Sequence, residues 1–338
     1  MKTLSELHEA LTTPSQALVD DLRATTGDIV VLGAAGKLGP SLVMLALRAL
    51  AEAGSPATVH AVSRFGDPVV ADELRAAGAH VITADVADDA ALAALPDAEN
   101  VIFLVGAKFG TQGNEHATWA TNTYLPGKVA TRYRSSRFVA LSTGNVYPLV
   151  PTGSGGAGES DPVGPVGEYA MSCLGRERIL THIAREHDMP LALIRLNYAV
   201  EMRYGILVDL GRQILAGDPV DVTTGYVNIV WQGYANEVIL RALRQASTPE
   251  LVLNLTGPET LSVRRLAEKL GAALEREVTV AGEEAPTALL ADAARCHDLF
   301  GYPGRSPDEL VRDVAEWLLS GGAVLDKPTK FQVRDGRF

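Results

Sequence analysis

The sequence is poor in cysteine, in net positive charge and in long apolar runs. Its two cysteines, Cys173 and Cys296, cannot build a disulfide framework and are typical of the reducing cytoplasm. Lys and Arg number 30 against 41 Asp and Glu, a net charge of −11 that disfavours nucleic acid or an anionic membrane as partner. No apolar run reaches the ~18 residues of a membrane span, and Glu6 and Glu9 stand where a signal peptide is apolar. We therefore expect a cytoplasmic protein with no membrane and no nucleic-acid partner.

Several catalytic motifs are missing as well. The seven histidines show neither HExxH spacing nor pairing with cysteines, so no metal is expected. There is no G-x-S-x-G elbow of the kind that carries a hydrolase serine. Gly36-Lys37 is followed by Leu38 instead of Ser or Thr, which excludes a phosphate-binding P-loop.

What the sequence does contain is a regular alternation of short apolar runs with Ala/Leu/Arg-rich segments of helical period. The runs are apolar at nearly every position, which is typical of strands buried on both faces of a parallel sheet. The alternation predicts a doubly wound α/β domain. The runs are 29–33, 58–62, 80–85, 101–106, 137–143, 191–196 and 251–256.

The remainder of the chain predicts the domain organisation. Residues 1–26 form an N-terminal helical extension, with helix N-caps expected at Thr3 and Thr13. Residues 27–196 form the sheet domain, to which 251–256 returns as a late strand. Residues 197–250 and 257–338 lack the alternation and are expected to form a smaller C-terminal α/β substrate domain. The Gly-, Pro- and Ser-rich segment 151–167 is predicted to be a mobile loop over a site.

A glycine loop directly follows the first run and opens a helix. It reads Gly33-Ala-Ala-Gly36-Lys37-Leu38-Gly39. Glycines permit a tight turn and close backbone approach to a pyrophosphate, and the helix N-terminus offers unpaired N–H groups. Strand, loop and helix in this order predict a Rossmann-type nucleotide site. The alternative is a purely structural turn.

The end of the second run bears on the choice of cofactor. NAD-binding sites usually place an acidic residue there, whereas this chain has Ser63-Arg64. A serine removes repulsion toward a 2′-phosphate, and Arg64 and Lys37 are candidates to pair with it, so NADP is favoured over NAD. Alternatively, Arg64 is solvated and stacks on adenine. Asp85, at the end of the third run, either accepts from the adenine amino group or caps its loop.

Several features in sequence order resemble the extended short-chain dehydrogenase/reductases, the NAD-dependent epimerase/dehydratase family. The resemblance covers about residues 28–320. It implies an NAD(P) cofactor contacted also by Val86, Val105, Gly106 and Asn122, and a homodimer built on helices at about 118–134 and 168–187. The features are the glycine loop, Asp85-Val86, Asn122 in ATNTYLPGKVA, the stretch from Ser142 to Tyr147, Tyr169 in EYAMSCLGRERIL, and residues 254–271.

The resemblance also implies a catalytic pair. Thr143 aligns with the hydroxyl that fixes the reacting oxygen, and Tyr169 with the acid/base that moves its proton while hydride passes to or from nicotinamide. The family places a Lys four residues after the Tyr, where its charge lowers the Tyr pKa. Here that position is Cys173, and no Lys lies between Lys128 and Lys269. The neutral thiol supplies no charge.

Three explanations of Cys173 remain open. Another cation substitutes, either Lys108 after the fourth run or Arg176 on the helical face of Tyr169. Alternatively, the chemistry needs Tyr169 only as a neutral donor, or proceeds without it. In the third case the protein binds a dinucleotide and catalyses nothing. Cys173 as a nucleophile is the weakest option, because no His lies near it in sequence.

The resemblance implies a small-molecule substrate. We expect an NAD(P)-dependent enzyme, an epimerase, dehydratase or oxidoreductase, acting on a sugar, sugar nucleotide or related hydroxy/keto compound. The alternative is a dinucleotide-binding sensor or partner subunit with a silenced site. The candidate substrate contacts are Gln112, His116, Thr143, Asn145 and Asn197.

Overall fold

The computed structural model describes residues 1–110 and 112–337; Thr111 and Phe338, which fall in segments discussed above, lie outside it. Each of the seven predicted runs overlaps a strand, with β2 ending one residue after its run and β4 beginning one residue before its run. The strands are β1 Ile29–Leu32, β2 Val59–Ser63, β3 His80–Thr83, β4 Asn100–Phe103, β5 Arg137–Thr143, β6 Val150–Pro151, β7 Leu191–Leu196, β8 Ala199–Val200, β9 Val220–Asp221, β10 Tyr226–Val227, β11 Val230–Trp231, β12 Leu251–Leu255, β13 Leu261–Ser262, β14 Val280–Ala281 and β15 Thr287–Ala288.

Thirteen helices are described in these residues, together with a π-helical turn at Ala120–Tyr124. The helices are α1 Leu4–Thr12, α2 Gln16–Arg23, α3 Gly39–Ala53, α4 Pro68–Ala76, α5 Asp89–Ala93, α6 Glu115–Trp119, α7 Leu125–Arg132, α8 Gly167–His187, α9 Ile206–Ala216, α10 Gln232–Arg241, α11 Val263–Leu274, α12 Ala294–Phe300 and α13 Pro307–Leu319.

The main sheet is parallel throughout and has the order β3-β2-β1-β4-β5-β7-β12. Alternate residues of β1 enter two different cores, Ile29 and Val31 on one face and Val30 and Leu32 on the other. The predicted Rossmann-type doubly wound sheet is therefore confirmed. The edge strand β3 departs from the pattern, because its ends are exposed and its middle is half-buried.

The N-terminal extension consists of α1 and α2, which pack on α3. Thr3 caps α1 in a capping box with Glu6, as predicted. The cap of α2 is Ser15, however, and not Thr13. Thr13 is instead the C-cap of α1, where its backbone N–H and its hydroxyl both donate to the carbonyl of Glu9, at 3.0 and 2.8 Å.

The C-terminal segments divide between two layers. Helices α9, α11 and α13 pack on one another away from the sheet. Helix α10, in the segment assigned by sequence to the small domain, packs instead on α3. Gln232 and Asn236 of α10 both donate to the hydroxyl of Ser41 on α3, at 3.1 and 2.8 Å. Helix α10 therefore belongs to the helical layer over the sheet.

The prediction that 151–167 is a mobile loop over the site is wrong. Its beginning, β6, pairs with β15, and Ala157 is buried in a bridge to Ala291. Glu159 accepts from the backbone N–H of Asn254 at 2.8 Å. Residues 151–167 line neither of the two cavities that hold most of the predicted site residues, and only Val166 of this segment reaches a third, small cavity that Asn145 also lines. Hydrogen bonds to the C-terminal segments fix this loop beside the sheet.

A buried ion pair holds α8 against the ends of β5 and β7. Arg195 donates to both carboxylate oxygens of Glu177, at 3.0 and 2.8 Å, and to the hydroxyl of Tyr147 at 2.6 Å. Ser142 donates to Glu177 at 2.6 Å. Because Ser142 immediately precedes Thr143, this network fixes the end of β5 where the predicted catalytic pair begins.

Candidate active site

The glycine loop needs glycine at specific points. Gly33 has φ +91°, and a Cβ there would lie 3.1 Å from the backbone nitrogen of Val105. A Cβ on Gly39 would overlap the carbonyl of Ala34. No side chain caps the N-terminus of α3, but the N–H of Gly39 donates to the carbonyl of Gly36 at 3.2 Å and Pro40 has no N–H.

A groove of about 420 Å³ runs from this loop over the carboxyl ends of β2, β3 and β4; we call it the glycine-loop groove. The structure thus brings most of the predicted cofactor residues together along one surface. Those lining the groove are Gly33, Gly36, Ser63, Arg64, Asp85, Val86, Val105 and Gly106.

Two residues at the far end of the groove show how it is built. The carboxylate of Asp85 accepts from the N–H of Ala87 at 3.0 Å, so it does cap its own loop. The side chain nevertheless lines the groove and is exposed. Arg64 is also exposed there, with its guanidinium available to solvent or to a ligand.

Lys37 does not face this end of the groove, so the expectation that it pairs with a 2′-phosphate there is wrong. Its Nζ donates to the carbonyl of Ala199 at 2.7 Å and lies 3.6 Å from the ring centre of Tyr204. The reason is the direction of the loop, which sends Lys37 and Leu38 toward the segment that follows β7.

The predicted catalytic pair is assembled at the end of β5. The Tyr169 hydroxyl is hydrogen-bonded to Thr143 and to the thiol of Cys173. Thr143 also accepts from the side chain of Asn145 at 2.9 Å. Burial raises the pKa of Tyr169 well above its ordinary value and contact with Cys173 adds to this, whereas the bond to Thr143 and the charge of Arg176 lower it. The phenol is therefore neutral at rest.

Cys173 occupies the position of the missing lysine and is buried. Burial raises the pKa of its thiol, and this outweighs the lowering by Arg176 and by the bond to Tyr169. A neutral buried thiol is inert, so the structure favours a packing role over a nucleophilic one.

Arg176 brings a permanent positive charge beneath the catalytic pair. Its guanidinium donates to the backbone carbonyls of Asn122 and Leu141, at 3.0 and 2.6 Å, and to the side-chain oxygen of Asn122 at 3.0 Å. It is buried, and it lies where a Cβ on Gly106 would meet it at 3.1 Å. The charge of Arg176 is thus held close to Tyr169 by three acceptors.

Asn122 lies in the π-helical turn between α6 and α7. Its side chain bonds both backbone groups of Ala107, at 2.8 Å each, and donates to Ser172 of α8 at 3.0 Å. It is fully buried and lines neither cavity. The predicted cofactor contact is therefore not seen, since Asn122 lies one layer below and fixes the turn after β4.

A second cavity of about 170 Å³ adjoins the pair; we call it the Tyr169 pocket. The two charged residues that line it among the described residues are Lys37 and Lys108. Burial lowers the pKa of Lys37 to about 7, with Glu201 acting in the opposite direction. Burial likewise lowers that of Lys108 to about 8. The Lys108 ammonium lies 6.0 Å from the ring centre of Tyr169.

The predicted substrate residues separate into two groups. Thr143, Asn145 and Asn197 all line the Tyr169 pocket. Gln112 is exposed and His116 lies on an outer groove, so neither lines this pocket, and their contact with substrate stays a prediction.

The sequence reasoning missed two segments that close the pocket. Tyr204 lies just before α9 and Thr329 in a polar segment near the C-terminus, and both line it. The carbonyl of Thr329 accepts from Lys108 at 3.2 Å, and its N–H and hydroxyl donate to Asp209 at 2.8 and 2.6 Å. The one feature of the sequence that could have pointed to the segment around Thr329 was Phe331, an aromatic residue among polar ones, which is buried.

Comparison with known proteins agrees with this architecture. The profile of the NAD-dependent epimerase/dehydratase family matches residues 29–200. The chain belongs to this family. No curated protein has a significant sequence match to this chain.

Similar solved structures include three epimerases. UDP-glucuronic acid 4-epimerase from Bacillus cereus, in complex with UDP-glucuronic acid and NAD, has a TM-score of 0.72 at 18% identity, covering 86% of this chain and 99% of that one. UDP-glucose 4-epimerase from Thermotoga maritima, with UDP-glucose, has 0.70 at 18%, covering 87% and 99%. UDP-N-acetylglucosamine 4-epimerase from Methanobrevibacter ruminantium, in complex with UDP-N-acetylmuramic acid, has 0.72 at 17%, covering 88% and 99%. At these identities the likeness concerns the fold of the epimerase/dehydratase family.

A separate observation concerns membranes. Among the described residues, none of the helices is long and apolar enough to cross a bilayer.

Proposed function

We propose that this protein is an NAD(P)-dependent enzyme acting on the carbonyl or hydroxyl group of a sugar-like compound. The observation that carries the proposal is the contact between the hydroxyls of Thr143 and Tyr169 beside the glycine-loop groove. A bound nicotinamide cofactor supplies or accepts hydride. The protein's part is to hold the reacting oxygen between the two hydroxyls and to move its proton.

The protonation state of Tyr169 favours proton donation. A buried phenol with a raised pKa is a poor base near neutral pH, because it holds its proton. In this state Tyr169 can donate a hydrogen bond or a proton to an oxygen that gains negative charge. We infer that reduction of a carbonyl is the easier direction, and that an epimerisation or dehydration starting from an alcohol needs a nearby cation.

Two groups support the idea of a substitute cation. Arg176 lowers the pKa of Tyr169 through its charge, and Lys108 lies over the tyrosine ring. Only Lys108 also lines the pocket. We propose that Lys108 replaces the missing lysine as the cation that faces bound ligands. Arg176, beneath the catalytic pair, stabilises negative charge on Tyr169. Lys108→Ala is then expected to abolish activity, and activity that survives this change would contradict the proposal.

The choice of cofactor is also part of the proposal. Ser63 and Arg64 at the groove support NADP, whereas the UDP-glucuronic acid 4-epimerase structure cited above contains NAD. The deciding measurement is the ratio of dissociation constants for the two nucleotides in wild type and in Arg64→Ala. An Arg64→Ala ratio equal to that of wild type would remove the case for NADP.

We also propose a homodimer, through the outer face of the π-helical turn, α7 and α8. An apolar groove of about 920 Å³ lies there, with Trp119 and Tyr124 38% and 67% exposed. Ile179 and Ile183 of α8 complete it. The mass of wild type and of Ile179→Glu in solution tests the dimer.

We also propose that the enzyme is an isomerase and that it is located in the cytoplasm. The support for the cytoplasmic location is that both cysteines are free and buried.

The main test compares Tyr169→Phe with Tyr302→Phe, whose ring is 71% exposed and remote from the pair. Purified protein is given NAD(P)H and a panel of sugar-derived carbonyl compounds, and nicotinamide absorbance is followed. We expect Tyr169→Phe to reduce kcat by about 10²–10⁴-fold with unchanged nucleotide affinity, and Tyr302→Phe to behave as wild type. Equal rates for Tyr169→Phe and wild type would contradict the assignment.

One observation favours a second candidate, a dinucleotide-binding protein with a silenced site. The lysine position holds a buried, neutral Cys173, and Tyr169 is protonated at rest. In that case NAD(P) binds tightly, no compound of the panel is turned over, and Cys173→Lys does not restore turnover. Turnover of any panel compound that depends on Tyr169 would exclude this candidate.

A further inference from the structure

The side chains around Tyr169 carry one sign of charge. Lys37 comes from the glycine loop and Lys108 from the segment after β4, and no carboxylate lines the pocket within the described residues. The Lys37 ammonium has three N–H donors. Its hydrogen-bond acceptor is the carbonyl of Ala199, and the Tyr204 ring covers another side.

The nearest carboxylates are engaged elsewhere. The carboxylate of Glu201 accepts a hydrogen bond from the guanidinium Nε of Arg203 at 3.0 Å. Asp209 accepts both the N–H and the hydroxyl of Thr329. These carboxylates compensate part of the lysine charge from behind, but neither lines the pocket. The pocket is therefore electropositive where a ligand enters it.

A third donor points to the same kind of ligand. Asn197 is 2% exposed and lines the pocket, and its Nδ2 has no hydrogen-bond partner within residues 1–110 and 112–337. A buried amide donor without an acceptor costs about 1–3 kcal/mol unless a ligand or water satisfies it. Two ammonium groups and one amide thus offer donors to a ligand rich in acceptors.

The segment around Thr329 limits the size of that ligand. Thr329 forms part of the pocket wall, and Phe331 is buried just beyond it. Phe331 and Arg334 line the adjoining cavity, which has only about 30 Å³. Arg334 is tied to Thr287 by bonds of 2.8 Å to its carbonyl and hydroxyl. The Tyr169 pocket, at about 170 Å³, is smaller than the ~300 Å³ at which pockets for drug-sized ligands begin.

We propose that the substrate is a small hydroxy or keto compound with an anionic group, a carboxylate or a phosphate ester, which Lys37 and Lys108 bind beside Tyr169. A nucleoside diphosphate sugar does not fit, because Thr329, Phe331 and Arg334 fill the space beyond Thr143 and Tyr169. This inference rests on the proposed function for the reaction, but it concerns the binding of the substrate. It distinguishes this chain from the UDP-sugar epimerases that share its fold.

The test is calorimetric titration of the protein saturated with its preferred nicotinamide nucleotide. The probes are glucuronate, glucose 6-phosphate, neutral glucose and UDP-glucose. Wild type is compared with Lys37→Met, with Lys108→Met and with Lys269→Met, an exposed lysine used as the control. Thermal unfolding of each variant confirms that it is folded.

We expect glucuronate or glucose 6-phosphate to bind wild type at least tenfold more tightly than glucose. The tighter of the two identifies the anion. Lys37→Met and Lys108→Met should each weaken its binding at least tenfold, with nucleotide affinity and the Lys269→Met control unchanged. The proposal is overturned if neither anion binds better than glucose, if both pocket variants bind the anion like wild type, or if UDP-glucose binds most tightly.

Failure of the proposed function gives a different result. If the chain binds neither NAD(H) nor NADP(H), the proposed function is contradicted. The same titrations on the nucleotide-free protein then still decide between an anion site and none.

Discussion

The glycine-loop groove and the Tyr169 pocket lie side by side at the carboxyl ends of the strands, but they are built differently. The groove is lined mainly by residues of the consecutive turns that follow β1 to β4, nearly half of them Gly, Ala or Ser. The pocket is made of side chains from separate segments, including the glycine loop, the chain after β4 and residues near the C-terminus. We infer that the glycine-loop groove holds the features that this chain shares with its family, whereas the Tyr169 pocket determines which substrate it takes. The variants below test that division.

The largest effect is expected from the buried ion pair between Arg195 and Glu177, which fixes the end of β5. Arg195→Met leaves Glu177 as a buried charge without its partner, which costs about 3–5 kcal/mol. We expect the free energy of unfolding in urea to fall by that amount. Arg75→Met, at an exposed pair with Asp72, is the matched control and should cost less than about 1 kcal/mol. Similar losses in both variants would mean that the buried network does not support the pocket.

The next effect addresses the groove. Gly36 is exposed, and a Cβ there would lie 3.1 Å from the carbonyl of Gly33, in the approach to the pyrophosphate. Gly36→Val should weaken nucleotide binding by about 100-fold, or about 2.8 kcal/mol, with the melting temperature nearly unchanged. Gly304→Val, at a glycine with open space around it, is the control. Unchanged affinity in Gly36→Val would separate the groove from nucleotide binding.

A smaller effect follows from the lysine of the pocket. The pKa of Lys37 is lowered from 10.5 to about 7, so between these values the unfolded chain binds more protons than the folded one. Stability must therefore rise with pH in this window, because the buried charge is relieved. From pH 7 to 9, wild type should gain about 1–2 kcal/mol relative to Lys37→Met. Parallel pH profiles of the two proteins would show that Lys37 is not desolvated.

The smallest effect is expected at the position that departs most from the family pattern. Cys173→Ser preserves the size of a buried neutral group that contacts Tyr169. We expect a loss of stability of at most about 1 kcal/mol and a kcat within threefold of wild type. Inactivation by this change, with the fold intact, would reinstate the thiol as a reacting group.

The elements that could be predicted from the sequence are those set by local periodicity. The seven strands of the main sheet follow from continuous apolar runs, and the groove follows because glycines at fixed spacing leave few backbone choices. Thr143 and Tyr169 were found through family resemblance. The direction of Lys37 and the position of Thr329 were not predictable, because they depend on contacts with Ala199, Tyr204 and Asp209, which are far away in sequence.

The π-helical turn has a consequence for how this chain can vary. In a regular helix the carbonyl of Asn122 would accept from the residue four positions later, but that residue is Pro126, which has no N–H. The guanidinium of Arg176 supplies the missing donor at 3.0 Å. Pro126 on α7 and Arg176 on α8 thus depend on each other, because the proline leaves the Asn122 carbonyl without a backbone donor and the arginine supplies one. An ordinary residue at 126 would bring back a competing N–H, so in homologues we expect the two positions to change together.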